Sequence, residues 1–204
     1  KSRDRPTFNR IIKIKIKMKK IGITGSVASG KSTASKYLSF KRGPLFSADD
    51  AVKKLYRNKN FKKLISEKLK IKNANIKENI KKKIVFSKKS FKKLEKIIHP
   101  LVRKQMKKFI SKNSKKKILF FEIPLLIESK LMSNFDLIIF IKANKRIRLK
   151  RFLLKGGNKR IFQILNNKQF SDKKKIKFCD HVVTNEKNKK LLKKKLSNII
   201  KFYE

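Results

Sequence analysis

The sequence predicts an α/β fold: a parallel five-stranded sheet flanked by helices, with a helical insertion and a lid segment attached. Three observations predict it. Two apolar runs of strand length, Lys117 to Pro124 (KILFFEIP) and Phe135 to Ala143 (FDLIIFIKA), have no alternating polar positions, as expected of strands buried on both faces. Segments of helical spacing alternate with these runs, which is the pattern of βαβ units. A glycine-rich turn separates the first short strand from the first helix.

The elements follow in order. Lys19 to Thr24 (KKIGIT) reads as a first strand, and Lys31 to Phe40 as a helix stopped by KRGP. Leu45 to Asp50 (LFSADD) reads as a second strand with carboxylates at its carboxyl end. From Ala51 to Ile110 helical spacing dominates: Leu94, Ile97, Ile98 and Leu101 fall at i, i+3, i+4 and i+7. Pro100 interrupts that stripe, so one helix is expected to stop near Ile98 and another to start at His99 and Pro100. After the two apolar strands, Arg146 to Lys155 reads as a helix ended by GGN, and His181 to Asn185 (HVVTN) as a last strand. The tail from Lys187 to Lys201 carries Leu191, Leu192, Leu196, Ile199 and Ile200 at helical spacing and reads as a closing helix. No internal repeat is evident.

The 204 residues suffice for one domain with insertions. Residues 1–18 are basic and lack an uninterrupted apolar stretch, which speaks against a secretory signal; they are expected to form an N-terminal extension outside the fold, leaving 19–204 as the domain. No apolar run approaches the length that spans a bilayer, and the single cysteine, Cys179, fits a reducing compartment and a cytoplasmic protein. Cys179 itself is expected to be a small buried apolar residue.

Lys and Arg number 61 against 13 Asp and Glu, a formal net charge of +48. Such an excess ordinarily points to a polyanion as partner. Here the lysines occur in every segment, apparent strands included, and the enriched Lys, Ile, Asn and Phe are residues written by A- and T-rich codons. A spread-out charge of this kind is a solvated shell, so no specific nucleic acid and no membrane is expected as partner. The phenylalanines fall among apolar core positions and not among basic residues, where a base-stacking platform would need them.

Gly25 to Ser32 reads GSVASGKS and fits the phosphate-binding pattern G-x-x-x-x-G-K-[ST], with Gly25, Gly30, Lys31 and Ser32 at the fixed places. Backbone N–H groups of Ser26, Val27, Ala28 and Ser29 must turn inward around a phosphate, and side chains at the glycine positions would obstruct that approach. Lys31, expected to be partly exposed, neutralises phosphate charge; Ser32 offers a hydroxyl to Mg²⁺; Thr33 continues the helix whose positive end faces the anion. The pattern stands after a strand and before a helix, the context it requires, and makes the fold that of P-loop NTPases with ATP and Mg²⁺ as cofactors.

Two further groups narrow the chemistry. Asp49 and Asp50 stand where a carboxylate at a strand end can face the γ-phosphate; either can instead cap the helix that follows, and the residues leave open which does which. Arg146, Arg148, Arg151 and Arg160 cluster after the FDLIIFIKA strand, and an Arg-bearing helical lid over about 146–170 would exclude water from the transferring phosphoryl group.

Taken together, IGITGSVASGKST, SADDAVKKL, IIHPLV (Ile97 to Val102), IPLLIES (Ile123 to Ser129) and CDHVVTNE resemble the dephospho-CoA kinase family in order and spacing, from about Lys19 to the C-terminus. HPLV and PLLIE are weak singly and specific in combination with the P-loop. The resemblance implies ATP-dependent phosphorylation of the 3′-hydroxyl of dephospho-CoA, with a helical region over about 51–110 that recognises the acceptor. The family's D-A-D pattern matches here as Ser47, Ala48 and Asp49, so Asp49 is implied as the carboxylate beside the acceptor hydroxyl, and Ser47 is a departure from the pattern. Acceptor contacts are implied at His99, Pro124, Leu125 and Glu128; for His99 a helix-capping role competes evenly. Arg151 matches a lid arginine that faces phosphate, and Arg160 more loosely one on the adenine side. Lys155, Gly156 and Gly157 stand where the family usually has an arginine. The implied catalytic set is Asp49, Lys31 and Arg151. A monomer or weak homo-oligomer is expected. The alternatives are another small P-loop kinase and, from a different class, a nucleic-acid-binding P-loop protein.

Overall fold

The computed structural model describes residues 18–71, 75, 76, 78–80, 83 and 87–203. Five strands form one parallel sheet: β1 (Lys19–Gly25), β2 (Leu45–Ser47), β3 (Ile118–Glu122), β4 (Leu137–Lys142) and β5 (His181–Thr184), in the spatial order β2-β3-β1-β4-β5. The described helices are α1 (Lys31–Ser39), α2 (Ala48–Leu55), α3 (Lys59–Leu69), α4 (Lys88–Lys112), α5 (Lys145–Leu153), α6 (Lys159–Lys168), α7 (Asp172–Ile176) and α8 (Lys189–Ile200).

The three central strands are buried nearly throughout because both faces are covered. Successive side chains of a strand point to opposite faces. Ile118 and Phe120 therefore join Ile21, Leu38, Ile139 and Leu196 under α1 and α8, while Leu119 and Phe121 join Met106, Leu126 and Ile138 under α4. Phe120 and Phe121 are fully buried, and truncating either to alanine costs about 3–5 kcal/mol. A third cluster, Phe61, Ile65, Leu69 and Leu94, ties α3 to the first half of α4 and forms the core of the helical insertion.

The strand order places the functional crevice. From β1 the chain crosses to β2 and returns to β3 on one side, then lays down β4 and β5 on the other. The carboxyl ends of β1 and β3 lie side by side at this reversal, with Ile23 paired to Glu122. Ligands of open parallel sheets bind at such a point.

Two expectations are corrected. β2 ends at Ser47, not Asp50, because Ser47 caps α2 by accepting a 3.2 Å hydrogen bond from the Asp50 N–H; both aspartates belong to the helix's first turn. Ser47 is thus an N-cap, and neither aspartate is. The break expected at Pro100 does not occur: α4 runs through it as one helix of 25 residues. Pro100 falls where α4 passes from one apolar cluster to the next, Leu94, Ile97, Ile98 and Leu101 holding one half and Val102, Met106, Phe109 and Ile110 the other, and this packing outweighs the single lost N–H. The expected lid span holds two helices, α5 and α6, and α7 follows it unforeseen. Residues 1–17 of the expected extension lie outside the described residues; Met18 packs against the Phe121 cluster.

Candidate active site

The loop from Gly25 to Gly30 takes a conformation that its glycines allow. Gly30 has φ 99°, and a Cβ there would stand 2.1 Å from Asn185 Nδ2; a Cβ on Gly25 would stand 2.4 Å from the Ile141 carbonyl oxygen. Gly30 is also the N-cap of α1 and carries no side chain to cap it, whereas each of the other seven described α-helices has an N-cap side chain accepting a first-turn N–H. The first amides of α1 are the ones left for an external anion. The Ser29 hydroxyl is buried at the same place and has no hydrogen-bond partner among the described residues.

Lys31 is only 7 % exposed, against the partly exposed side chain expected, and its Nζ donates to the Ser26 carbonyl at 2.9 Å. Burial pulls its pKa down to about 8 from 10.5, and Asp49 and Glu122 oppose that fall. Both carboxylates thus favour the charged form of this lysine.

Glu122 had escaped the sequence reading. It ends β3, 4 % exposed, and takes hydrogen bonds from Ser32 Oγ (2.5 Å) and Ser35 Oγ (3.2 Å). A signal was present: it is an acid closing a strand of otherwise unbroken apolar residues. Ser32 and Thr33 stay open to solvent at the head of α1. Asp49 is also open, on the second position of α2, whereas Asp50 points away to an exposed 2.8 Å pair with Lys53, whose hydrogen bond holds the Asp50 carboxyl below its ordinary range.

Asp49 lines a cavity of about 240 Å³ between α2, α4 and the turn after β3. His99, Pro124 and Leu125 line it too, with Val52, Ile98, Val102, Met106 and Leu131 making most of an apolar wall and Glu95 and Arg103 adding charge. Burial, then Arg103, lowers the His99 pKa, so its ring is held neutral. Burial pushes the Glu95 carboxyl up. His99 is an interior residue of α4 and caps no helix. Glu128 is not part of this wall: it pairs with the fully buried Lys175 at 2.8 Å.

The arginines of α5 and α6 divide. Arg151 Nη1 donates to the Asn185 carbonyl at 3.0 Å and to the Ser29 carbonyl at 3.5 Å, directly over the phosphate loop. Arg148 is buried and structural, donating to the carbonyls of Ala143 and Val27 and to Asn166 Oδ1. Arg160 is exposed in the first turn of α6. Asn185, another residue missed, donates from Nδ2 to the Ser29 carbonyl at 2.8 Å and so braces the loop from the end of β5. Cys179 is half-buried against the Phe121 cluster, and burial pushes its thiol up to about 12.

Residues 19–190 match the family model described as dephospho-CoA kinase. The chain belongs to the dephospho-CoA kinase family. It is a kinase of the CoA biosynthesis pathway, transferring phosphate from ATP to dephospho-CoA. The dephospho-CoA kinase of Bartonella quintana is 34 % identical over 177 residues, covering 84 % of this chain and 91 % of its own. A Thermus thermophilus protein of known crystal structure superposes with a TM-score of 0.75 at 25 % identity, over 92 % of this chain and 98 % of its own. The dephospho-CoA kinase from Campylobacter jejuni shares the fold, with a TM-score of 0.60 at 22 % identity over 91 % and 97 % of the two chains. Among the described residues of this kinase, no helix is long and apolar enough to cross a membrane.

Proposed function

We propose that the phosphate loop, residues 25–33, holds the ATP phosphates while the cavity walled by His99, Pro124 and Leu125 holds dephospho-CoA, with Asp49 at the junction. One observation carries this reading: Asp49 lines the acceptor cavity and also acts on Lys31 of the phosphate loop. The ribose 3′-hydroxyl beside Asp49 would be oriented by the carboxylate and lose its proton to it as the bond to phosphorus forms. Lys31 and Arg151 would offset the negative charge that spreads over the transferring group.

Ser32 and Glu122 fit a divalent cation: they are hard oxygen donors, already 2.5 Å apart, at the mouth of the loop. Mg²⁺ is commonly held by one or two carboxylates together with the nucleotide's own phosphates. When bound, it would supply further charge neutralisation at the phosphates. A second pocket of about 150 Å³ at the end of β5, lined by Thr184, Asn185, Asn188 and Leu191, adjoins the loop through Asn185 and would take the ATP base; Arg160 is proposed on that side.

The reaction takes place in the cytoplasm, in this reading, on small-molecule substrates and with no specific nucleic-acid partner. The test is a coupled ADP-release assay with dephospho-CoA, a nucleoside monophosphate and a small alicyclic alcohol as acceptors. Turnover with dephospho-CoA alone is expected; preference for either of the others would reassign the cavity.

A further inference from the structure

Glu128 stands four residues beyond Pro124, on the turn whose first half walls the acceptor cavity. Its own partners lie elsewhere. Glu128 Oε1 accepts a 3.0 Å hydrogen bond from the Phe170 N–H and lies 2.8 Å from Lys175 Nζ, while Oε2 is buried and accepts no hydrogen bond among the described residues. Lys175 is fully buried, with this carboxylate as its counter-ion.

The residues interleaved with those contacts reach the phosphate loop. Gln169 Oε1 accepts a 3.0 Å bond from the Val27 N–H, and Asp172 Oδ1 accepts a 2.5 Å bond from the Ser26 hydroxyl. The seven residues 169–175 therefore grip two sites at once: Phe170 and Lys175 hold the turn after β3, and Gln169 and Asp172 hold the loop. The other half of the loop is braced independently, by Asn185 and Arg151 on Ser29.

We propose that Glu128 is a positioning residue for ATP and not an acceptor contact: it anchors residues 169–175 through Lys175 and the Phe170 N–H, and thereby sets Ser26 and Val27 in the phosphate loop. The proposal rests on the assignment of that loop to ATP. Removing the Glu128 charge leaves a buried ammonium without its counter-ion, and the relief available is movement of α7, which carries Asp172 away from Ser26. The damage then appears at the ATP phosphates, although Glu128 is closer in sequence to the acceptor wall.

The test is calorimetric titration of ATP, without acceptor, into the full chain and into Glu128→Gln, Asp172→Asn and the double variant, with dephospho-CoA titrated separately. ATP affinity is expected to fall about tenfold in each single variant. The double variant should be little worse than either, because both substitutions release the same segment. Dephospho-CoA affinity should stay within about twofold in every variant. Weakened dephospho-CoA binding with unchanged ATP binding would overturn the proposal, as would parallel loss of both, which marks a merely structural role, or additive losses in the double variant. Should Glu128→Gln fail to fold, Gln169→Ala and Asp172→Asn carry the same test from the loop side, and unchanged ATP affinity in both overturns it. Failure of the acceptor assignment would show instead in wild-type turnover, which these ATP titrations do not involve.

Discussion

Ser32 Oγ donates a 2.5 Å hydrogen bond to Glu122 Oε1, joining the head of α1 to the end of β3 across the crevice. Glu122→Gln keeps the shape of this contact and removes the charge. The Mg²⁺ concentration for half-maximal rate is expected to rise, or the rate to fall, by about 10- to 100-fold. Steady-state kinetics over a Mg²⁺ series measures it, and an unchanged Mg²⁺ dependence would remove Glu122 from the metal site.

Asp49 and Asp50 are neighbours with opposite surroundings, one on the cavity and one paired with Lys53. Asp49→Asn should lower kcat by about 10²- to 10⁴-fold with ATP affinity little changed. Asp50→Asn should stay within about twofold, since its loss removes only an exposed ion pair. Kinetics on both variants with dephospho-CoA decide the matter; a crippled Asp50→Asn enzyme would transfer the role to the other carboxylate.

Lys31 is charged only below about pH 8 in the free protein, because burial favours its neutral form. Bound phosphate favours the ammonium, so ATP binding takes up a proton above that pH. Affinity should be insensitive to this group well below pH 8 and fall by up to about tenfold per unit as pH rises through 8. Titrations in buffers of different ionisation enthalpy detect the proton directly. The same depressed pKa means that charging Lys31 opposes folding, an opposition relieved between about 8 and 10.5. Lys31→Met should therefore abolish turnover while raising the unliganded Tm, by about 5 °C or more.

Arg151 touches the carbonyls that frame the phosphate loop, and Arg160 stands exposed in the first turn of α6. Arg151→Ala is expected to lower kcat/KM by about 10²- to 10³-fold. Arg160→Ala should act on the KM for ATP with kcat nearly unchanged, as expected of a residue on the base side. Equal effects of the two on kcat would overturn the division of the lid.

The parts readable from the sequence are those whose cause is local. GSVASGKS specifies its own turn, because φ 99° at Gly30 and the close approach at Gly25 admit no Cβ. The runs LFFE and LIIFI point to strands buried on both faces, because they are short, apolar almost throughout and rich in aromatic and β-branched residues. Strand number and class followed from these.

What escaped depends on residues far apart in the chain. Glu122 is ordinary until the pairing of β1 with β3 brings it to Ser32, 90 positions away. Asn185 is a loop residue until it meets Ser29, 156 positions away. Pro100 breaks a helix in isolation, yet two apolar clusters on either side of it hold α4 continuous. Ser47 looked like a lost aspartate and proved to be the cap that ends β2. The sequence alone determined the phosphate loop, the parallel α/β sheet and the chemistry they share, because backbone sterics and hydrophobic periodicity act within a few residues. Only the tertiary structure decided which carboxylates act on the charge of Lys31, how deeply that lysine is buried and what Glu128 holds, because charge and burial are set by what packs around a group.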